Sequence, residues 1–180
     1  MANNAKTLRA LYGIYVAYPQ FAVNPLAPTA AELNNKFAFT SAEGGMVFDI
    51  SDAVLDDSNN INQAGSDTDG TMVITDEAEV ENPTFWNYEV TFDTLRDRDV
   101  KAAGVYNLAR ELTLYPDRPF YVITRVGKDH GAAFAVGDDI SIYGVNTDLG
   151  VDITEDGGLL QHGARFKNTG VVAINFKVAA

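Results

Sequence analysis

The stretch Trp86-Asn87-Tyr88-Glu89-Val90-Thr91-Phe92-Asp93 alternates without a break. Trp86, Tyr88, Val90 and Phe92 fall on one side of an extended chain, and Asn87, Glu89, Thr91 and Asp93 on the other. This is the period-two pattern of a strand with one buried and one polar face. Residues 170–178 repeat it, with Val172, Ile174, Phe176 and Val178 opposed to Ala173, Asn175 and Lys177. So do residues 46–51, where Met46, Phe48 and Ile50 oppose Asp49 and Ser51. Segments 120–126 and 138–145 are rich in β-branched and aromatic residues, with Gly127, Gly131 and Gly137 between them, which predicts a hairpin with a long loop. Further strands are expected at 11–18, 36–40 and 71–75. Only 99–112 reads as a helix, through an apolar stripe of Val105, Leu108, Ala109 and Leu112 at spacings of three and four. Asp97 or Asp99 is expected to cap it, and Pro116 and Pro119 lie beyond its end. A shorter helical turn is expected at 29–33. The fold class that follows is mainly β (α+β), with one flanking helix.

Composition sets the frame around those strands. The 180 residues fit one domain, 1–180, and 46% hydrophobic with 21% charged residues is the balance of a folding globular chain. Thirteen Lys and Arg against 25 Asp and Glu leave a net charge of −12. Gripping nucleic acid through its phosphates requires clustered cations, so that mode is excluded, and an anionic membrane surface is disfavoured. With no cysteine there is no disulfide framework, thiolate metal site or cysteine nucleophile. The longest apolar run, 10–18, has nine residues, about half of the ~18 that a membrane-spanning helix needs. Tyr12, Tyr15, Tyr18 and Gly13 interrupt it, and it reads as a strand rather than as a leader.

The longest polar segment, 51–70, carries Asp52, Asp56, Asp57, Asp67 and Asp69 together with Asn59, Asn60 and Asn62. It reads as a long loop, and loops above about 12–15 residues in a compact domain are usually functional or disordered. Asp67-Thr68-Asp69-Gly70 imitates part of a calcium loop, but the EF-hand spacing would put Gly65 at its first ligand position. A solvated acidic loop is the simpler reading. His130 and His162, far apart and outside any His-Glu-x-x-His pattern, are expected as surface loop histidines. The carboxylates Glu77, Glu79 and Glu81 alternate like a solvated strand face. No nucleophile elbow, phosphate-cradling loop or dinucleotide fingerprint occurs. No catalytic residue, metal or cofactor is therefore expected, and an enzyme is disfavoured.

Two stretches carry a family resemblance. The run Val80-Glu81-Asn82-Pro83-Thr84-Phe85-Trp86-Asn87-Tyr88-Glu89 resembles the "Val-Glu-x-Pro-Thr-x-x-Asn-Tyr-Glu" segment of major tail tube proteins of long-tailed actinobacterial phages. After the helix, Phe120-Tyr121-Val122-Ile123-Thr124-Arg125-Val126-Gly127 is similar to that family's "Tyr-Leu-Val-Ile-Arg-Arg-Gly" strand. Residues 132–143, with Gly137-Asp138-Asp139-Ile140-Ser141-Ile142-Tyr143, resemble its "Ala-x-Gly-Asp-x-Val-x-Val-Tyr" continuation. Gly144 stands where the family tends to have proline. The resemblance implies a tail-tube β-sandwich or barrel-forming sheet with one flanking helix, assembled as a homo-oligomer of stacked, hexameric rings. It implies a virion-tail location, assembly in the host bacterial cytoplasm, and a tape measure protein and tail terminator as partners. DNA passes through such a tube without specific binding.

On that reading the 51–70 loop is the candidate assembly arm, and Asp49, Glu89 and Asp93 are candidate lumen-facing acids. An acidic lumen gives the −12 a purpose, because a wall close to DNA that repels phosphates lets the duplex slide. The alternatives are a tail terminator, a head decoration protein, or a carbohydrate-binding module that stacks sugars on Trp86 and nearby tyrosines. The alternation of Trp86 with Tyr88, Val90 and Phe92 favours a core role over a sugar platform.

Overall fold

The alternation that opens the sequence reading becomes strand β6, Tyr88–Leu95, in a computed structural model that describes residues 11–38, 44–65, 67–71, 80–85, 87–154 and 160–180. Tyr88, Val90 and Phe92 are buried and Glu89 is exposed. Trp86 lies outside the described residues, as do Glu77, Glu79, 39–40 of the expected strand 36–40, and 72–75 of the expected strand 71–75. Lys36 makes only an isolated bridge to Val47.

The remaining strands are β1 (Tyr12–Ala17), β2 (Val47–Asp49), β3 (Asn60–Gln63), β4 (Asp67–Thr71), β5 (Val80–Phe85), β7 (Pro119–Val126), β8 (Asp139–Thr147), β9 (Val151–Thr154) and β10 (Leu160–Lys177). An eight-stranded antiparallel sheet runs β2-β1-β7-β8-β10-β6-β3, with β9 also pairing β10, and β4 and β5 form a separate pair. The chain is mainly β, as the alternation predicts. The expected hairpin is β7–β8, which pairs from Pro119↔Asn146 to Val126↔Asp139 around a loop over 127–138.

The sheet curls because β10 is long. Its first part pairs with β6 and β9, and the rest pairs with β8, with irregularities between Asn168 and Val172 and between Ala173 and Phe176. Such bulges bend a strand and let it pass from one packing surface to another. Ile14, Val16, Val122, Tyr143 and Val145 of β1, β7 and β8 thereby meet Tyr88, Val90 and Phe92 of β6 in one core. The opposite face of β1, β7 and β8 packs a second core of Tyr15, Ala17, Ile123, Ile140 and Ile142 with Leu33, Phe134 and Val178. These three strands are buried on both faces.

The second irregularity corrects the alternation read for 170–178. Val172 and Ile174 pack on the first core, but Phe176 joins Ala173 on the second. Asn175, at φ 51°, takes the left-handed turn that produces the switch, a conformation asparagine tolerates better than most residues.

Two helices flank the sheet. α1, Ala30–Leu33, carries a complete capping box in which Thr29 and Glu32 satisfy each other's backbone N–H groups. α2, Val105–Thr113, sets Ala109 and Leu112 on the first core. It starts later than the expected 99–112. Asp97 and Asp99 accept from the amides two residues on and form turns of their own, which leaves Gly104 as an N-cap without a side-chain bond. The segment 51–70 is likewise not one loop: after turns to residue 58 it contains β3, paired to β6, and most of β4.

Candidate functional site

The predicted acids divide between two surfaces. On β6, Glu89 and Asp93 point away from the core. Their cross-strand neighbours are Asn62 and Gly163, and Arg165 Nη1 donates to Asp93 at 2.9 Å. Asp49 lies at the far end of the sheet, opposite Tyr15, and is fully engaged. Its Oδ1 accepts from Ser51 Oγ at 2.7 Å, while its Oδ2 lies 3.0 Å from His130 Nδ1 and 3.9 Å from Lys36 Nζ. Of the predicted loop acids, Asp52 is exposed and sits 3.3 Å from His130 Nε2. Asp56 and Asp57 are exposed in the turn before β3, and Asp67 and Asp69 are positions on β4. The structure brings Asp49 and Asp52 together through His130 and leaves the others dispersed.

A second cluster escaped the sequence reading. His162 is a buried residue of β10, not the expected surface loop histidine. Its Nδ1 lies 2.9 Å from Asp152 Oδ1 and its Nε2 3.1 Å from Thr113 Oγ1. Arg110 grips Asp152 through Nε at 3.1 Å and Nη2 at 2.8 Å, and Arg96 Nη1 adds 3.1 Å. The Arg110 hydrogen bonds lead the effects that hold the Asp152 carboxyl down at about 2, and burial pushes the His162 imidazole below its usual range.

The order hydroxyl, imidazole, carboxylate imitates a hydrolytic relay. Thr113 and His162 have no exposed surface, however, and the Thr113 hydroxyl donates to the Ala109 carbonyl, so no substrate reaches the oxygen. The cluster clamps α2 to β9 and β10. Gly150 makes room for it, because a Cβ there would stand 2.4 Å from His162 Cε1 and 2.9 Å from the Thr113 carbonyl oxygen. Gly150→Ala is expected to cost about 1–3 kcal/mol, the usual range for overpacking. Urea unfolding of the purified protein measures it, and an unchanged midpoint would show that the clamp yields freely.

Among the described residues the surface presents strand edges. The outer side of β2 is covered, since Phe37 N donates to Val47 O at 2.8 Å and Val47 N to Asn35 O at 3.2 Å. Among the described residues β3 pairs only with β6, β9 only with β10, and β4 and β5 only with each other. Beside β9, Leu149 and Val151 are 64% and 56% exposed, and Leu160 is exposed as well. No lysine or proline guards β9, the usual protection of a solitary edge. A groove of 410 Å³ between β2 and α2 is lined by Phe37, Met46, Phe48 and Leu108 with Glu111 and Arg118. No helix among the described residues is long and apolar enough to cross a membrane.

A family model described as phage tail tube protein matches residues 1–180. The chain is a member of the phage tail tube protein family. No individually curated protein matches it. As a tail tube protein it is a structural component of the virion tail, from a family that assembles into an oligomeric tube with other tail proteins and is generally non-enzymatic. Unpaired edges suit such a protein, because assembly covers backbone groups that a monomer leaves open.

Proposed function

We propose that this tail tube protein closes head to tail into rings, six subunits each, which stack into a hollow tube that conducts DNA to the host. The observation that carries the proposal is the unguarded apolar edge at β9, together with the open edge of β3 at the end of the sheet path. Two different edges on one subunit make a heterologous contact, which closes into a ring by rotation and continues by stacking. The β4–β5 pair, which holds Asp67 and Asp69, is the arm that reaches a neighbouring subunit or ring. Its support is physical: a lone two-stranded hairpin is marginal in water, so it gains by packing on a second chain.

The outward face of β6, with Glu89 and Asp93, is the lumen candidate that best keeps its acids off the core. The resemblance to tail tube proteins of long-tailed actinobacterial phages supports the remaining assignments. These are an actinobacterial host, assembly in its cytoplasm, a tape measure protein that fills the tube during assembly, and a terminator that ends it.

Negative-stain electron microscopy of the concentrated protein tests the proposal. Hollow tubes of constant diameter are expected from the natural sequence, and single rings alone would indicate a terminator instead. Val151→Lys places a charge on the β9 edge without touching either core. It is expected to abolish tubes while circular dichroism and the melting temperature stay unchanged, and normal tubes from this variant would remove β9 from the interface.

A further inference from the structure

We propose that the His130 imidazolium is a latch that ties the 127–138 loop to the turn at 51–53, and that it opens as pH rises. The geometry singles out this ring because both nitrogens face carboxylates: Nδ1 lies 3.0 Å from Asp49 Oδ2 and Nε2 lies 3.3 Å from Asp52 Oδ1. A neutral imidazole has one N–H and one lone pair, so it satisfies only one of these acceptors and turns a lone pair on the other. Only the doubly protonated ring donates to both.

Among the described residues, the groups around the ring come from several elements. β2 supplies Asp49, the following turn supplies Asp52, and Asp129 precedes the histidine in its own loop. Lys36 Nζ and the Tyr15 hydroxyl approach from α1's trailing segment and from β1, but both donate to the His130 carbonyl, at 3.0 and 2.7 Å. The main chain of His130 is therefore held whatever the charge of its ring, while the hold on Asp52 depends on the ring proton. Burial opposes that proton, but the Asp49 hydrogen bond and the carboxylates of Asp49, Asp52 and Asp129 outweigh it and raise the imidazole above its ordinary range.

The sign follows from linkage. A raised pKa means the latch is fully closed below about 6.5, the unfolded-state value, and is lost as pH rises through the folded-state value. Asp52 releases first, because it is the more exposed partner and the longer contact. The turn it leaves leads through Val54 and Leu55, which bridge to β6, toward β3 and the β4–β5 pair. The latch thus links pH to the base of the segment that carries the arm.

The test uses the full chain at concentrations where it is monomeric. Proton NMR follows the two imidazole rings across pH, with His130→Gln identifying the signals, and amide exchange follows 50–53 and 128–132. His130 is expected to titrate above 6.5, and Asp52→Asn to lower that value by at least half a unit, a roughly threefold change in the protonation equilibrium. Amide protection at 51–53, corrected for intrinsic exchange, is expected to fall as His130 loses its proton and to show no such step in Asp52→Asn. A His130 titration at or below 6.5, or an identical step in Asp52→Asn, would overturn the latch. These readouts do not require tube formation, so the latch and the tube proposal fail independently.

Discussion

Joining Gly65 to Asn87 through an inserted Asn-Gly, with 66–86 removed, is expected to give a folded monomer that forms no tubes. The junction is set by the fold. Ala64 N donates to Asn87 O at 2.9 Å, and the Asn87 side chain donates to Gly65 O at 3.2 Å. Ala64 and Asn87 stand opposite each other at the end of the β3–β6 ladder, so Gly65 and the inserted Asn-Gly form a three-residue loop with glycine at its left-handed position, which closes the ladder as an ordinary hairpin. The excision removes β4 and β5, which pair only with each other among the described residues, and leaves β3 in place. A deletion that began at Asp56 would instead take away β3 and the packing of Ile61 on the first core, and would confuse folding with assembly. Sedimentation and electron microscopy give the readout. Complete loss of tubes, with a melting transition close to that of the natural chain in its monomeric state, assigns the arm to assembly. Tubes of normal diameter from the excised protein would show that the edges suffice without it.

The same region marks where the sequence was legible and where it was not. β6 was readable because one face packs on a core, the other stays polar and no bulge disturbs its ladder, so period two survives. β7 and β8, buried on both faces, were readable instead from their β-branched and aromatic residues and the glycines between them. β3 and β4 are written in Asn, Asp and Gly, residues that favour turns. Pairing with the edge of β6 makes Asn60–Gln63 a strand, and tertiary context decides over propensity. The first half of β10 was missed for a related reason. His162, Ala164 and Phe166 share one face at period two, but the first of them is a polar residue whose partners Asp152 and Thr113 lie elsewhere in the chain. The alternation was there to be found, and its buried member looked like a surface residue. Asp49 and Asp93 were legible as polar strand positions. That they are spoken for by His130 and Arg165, 81 and 72 residues away, was not.

Arg125 gives the largest effect expected on stability. In the family-like strand 120–127 this guanidinium is completely buried at the floor of the 127–138 loop. Its Nη2 lies 2.9 Å from Asp138 Oδ2, its Nη1 donates to Ala132 O at 2.8 Å, and Phe134 stacks on it at 4.5 Å. Asp138 is nearly as buried, and its other oxygen takes Lys128 at 2.6 Å. Burial alone would push this carboxyl up, but hydrogen bonds from Lys128 and Ala135 and the Arg125 charge hold it below its ordinary value. Removing one partner of a buried pair strands the other's charge, so Asp138→Asn is expected to cost about 3–5 kcal/mol. For a chain of this size that is a melting temperature lower by roughly 6–20 °C. Lys128, half exposed, swings into water and offers no compensation. The decisive comparison is a second substitution in the damaged protein. Arg125→Met removes the stranded charge and keeps an apolar body against Phe134, so the double variant is expected to melt above Asp138→Asn alone. The monomeric, arm-excised chain is the proper host, because assembly would otherwise raise apparent stability by mass action. If the double variant melts lower still, the guanidinium stabilises the loop through its carbonyl contacts and not through charge pairing with Asp138.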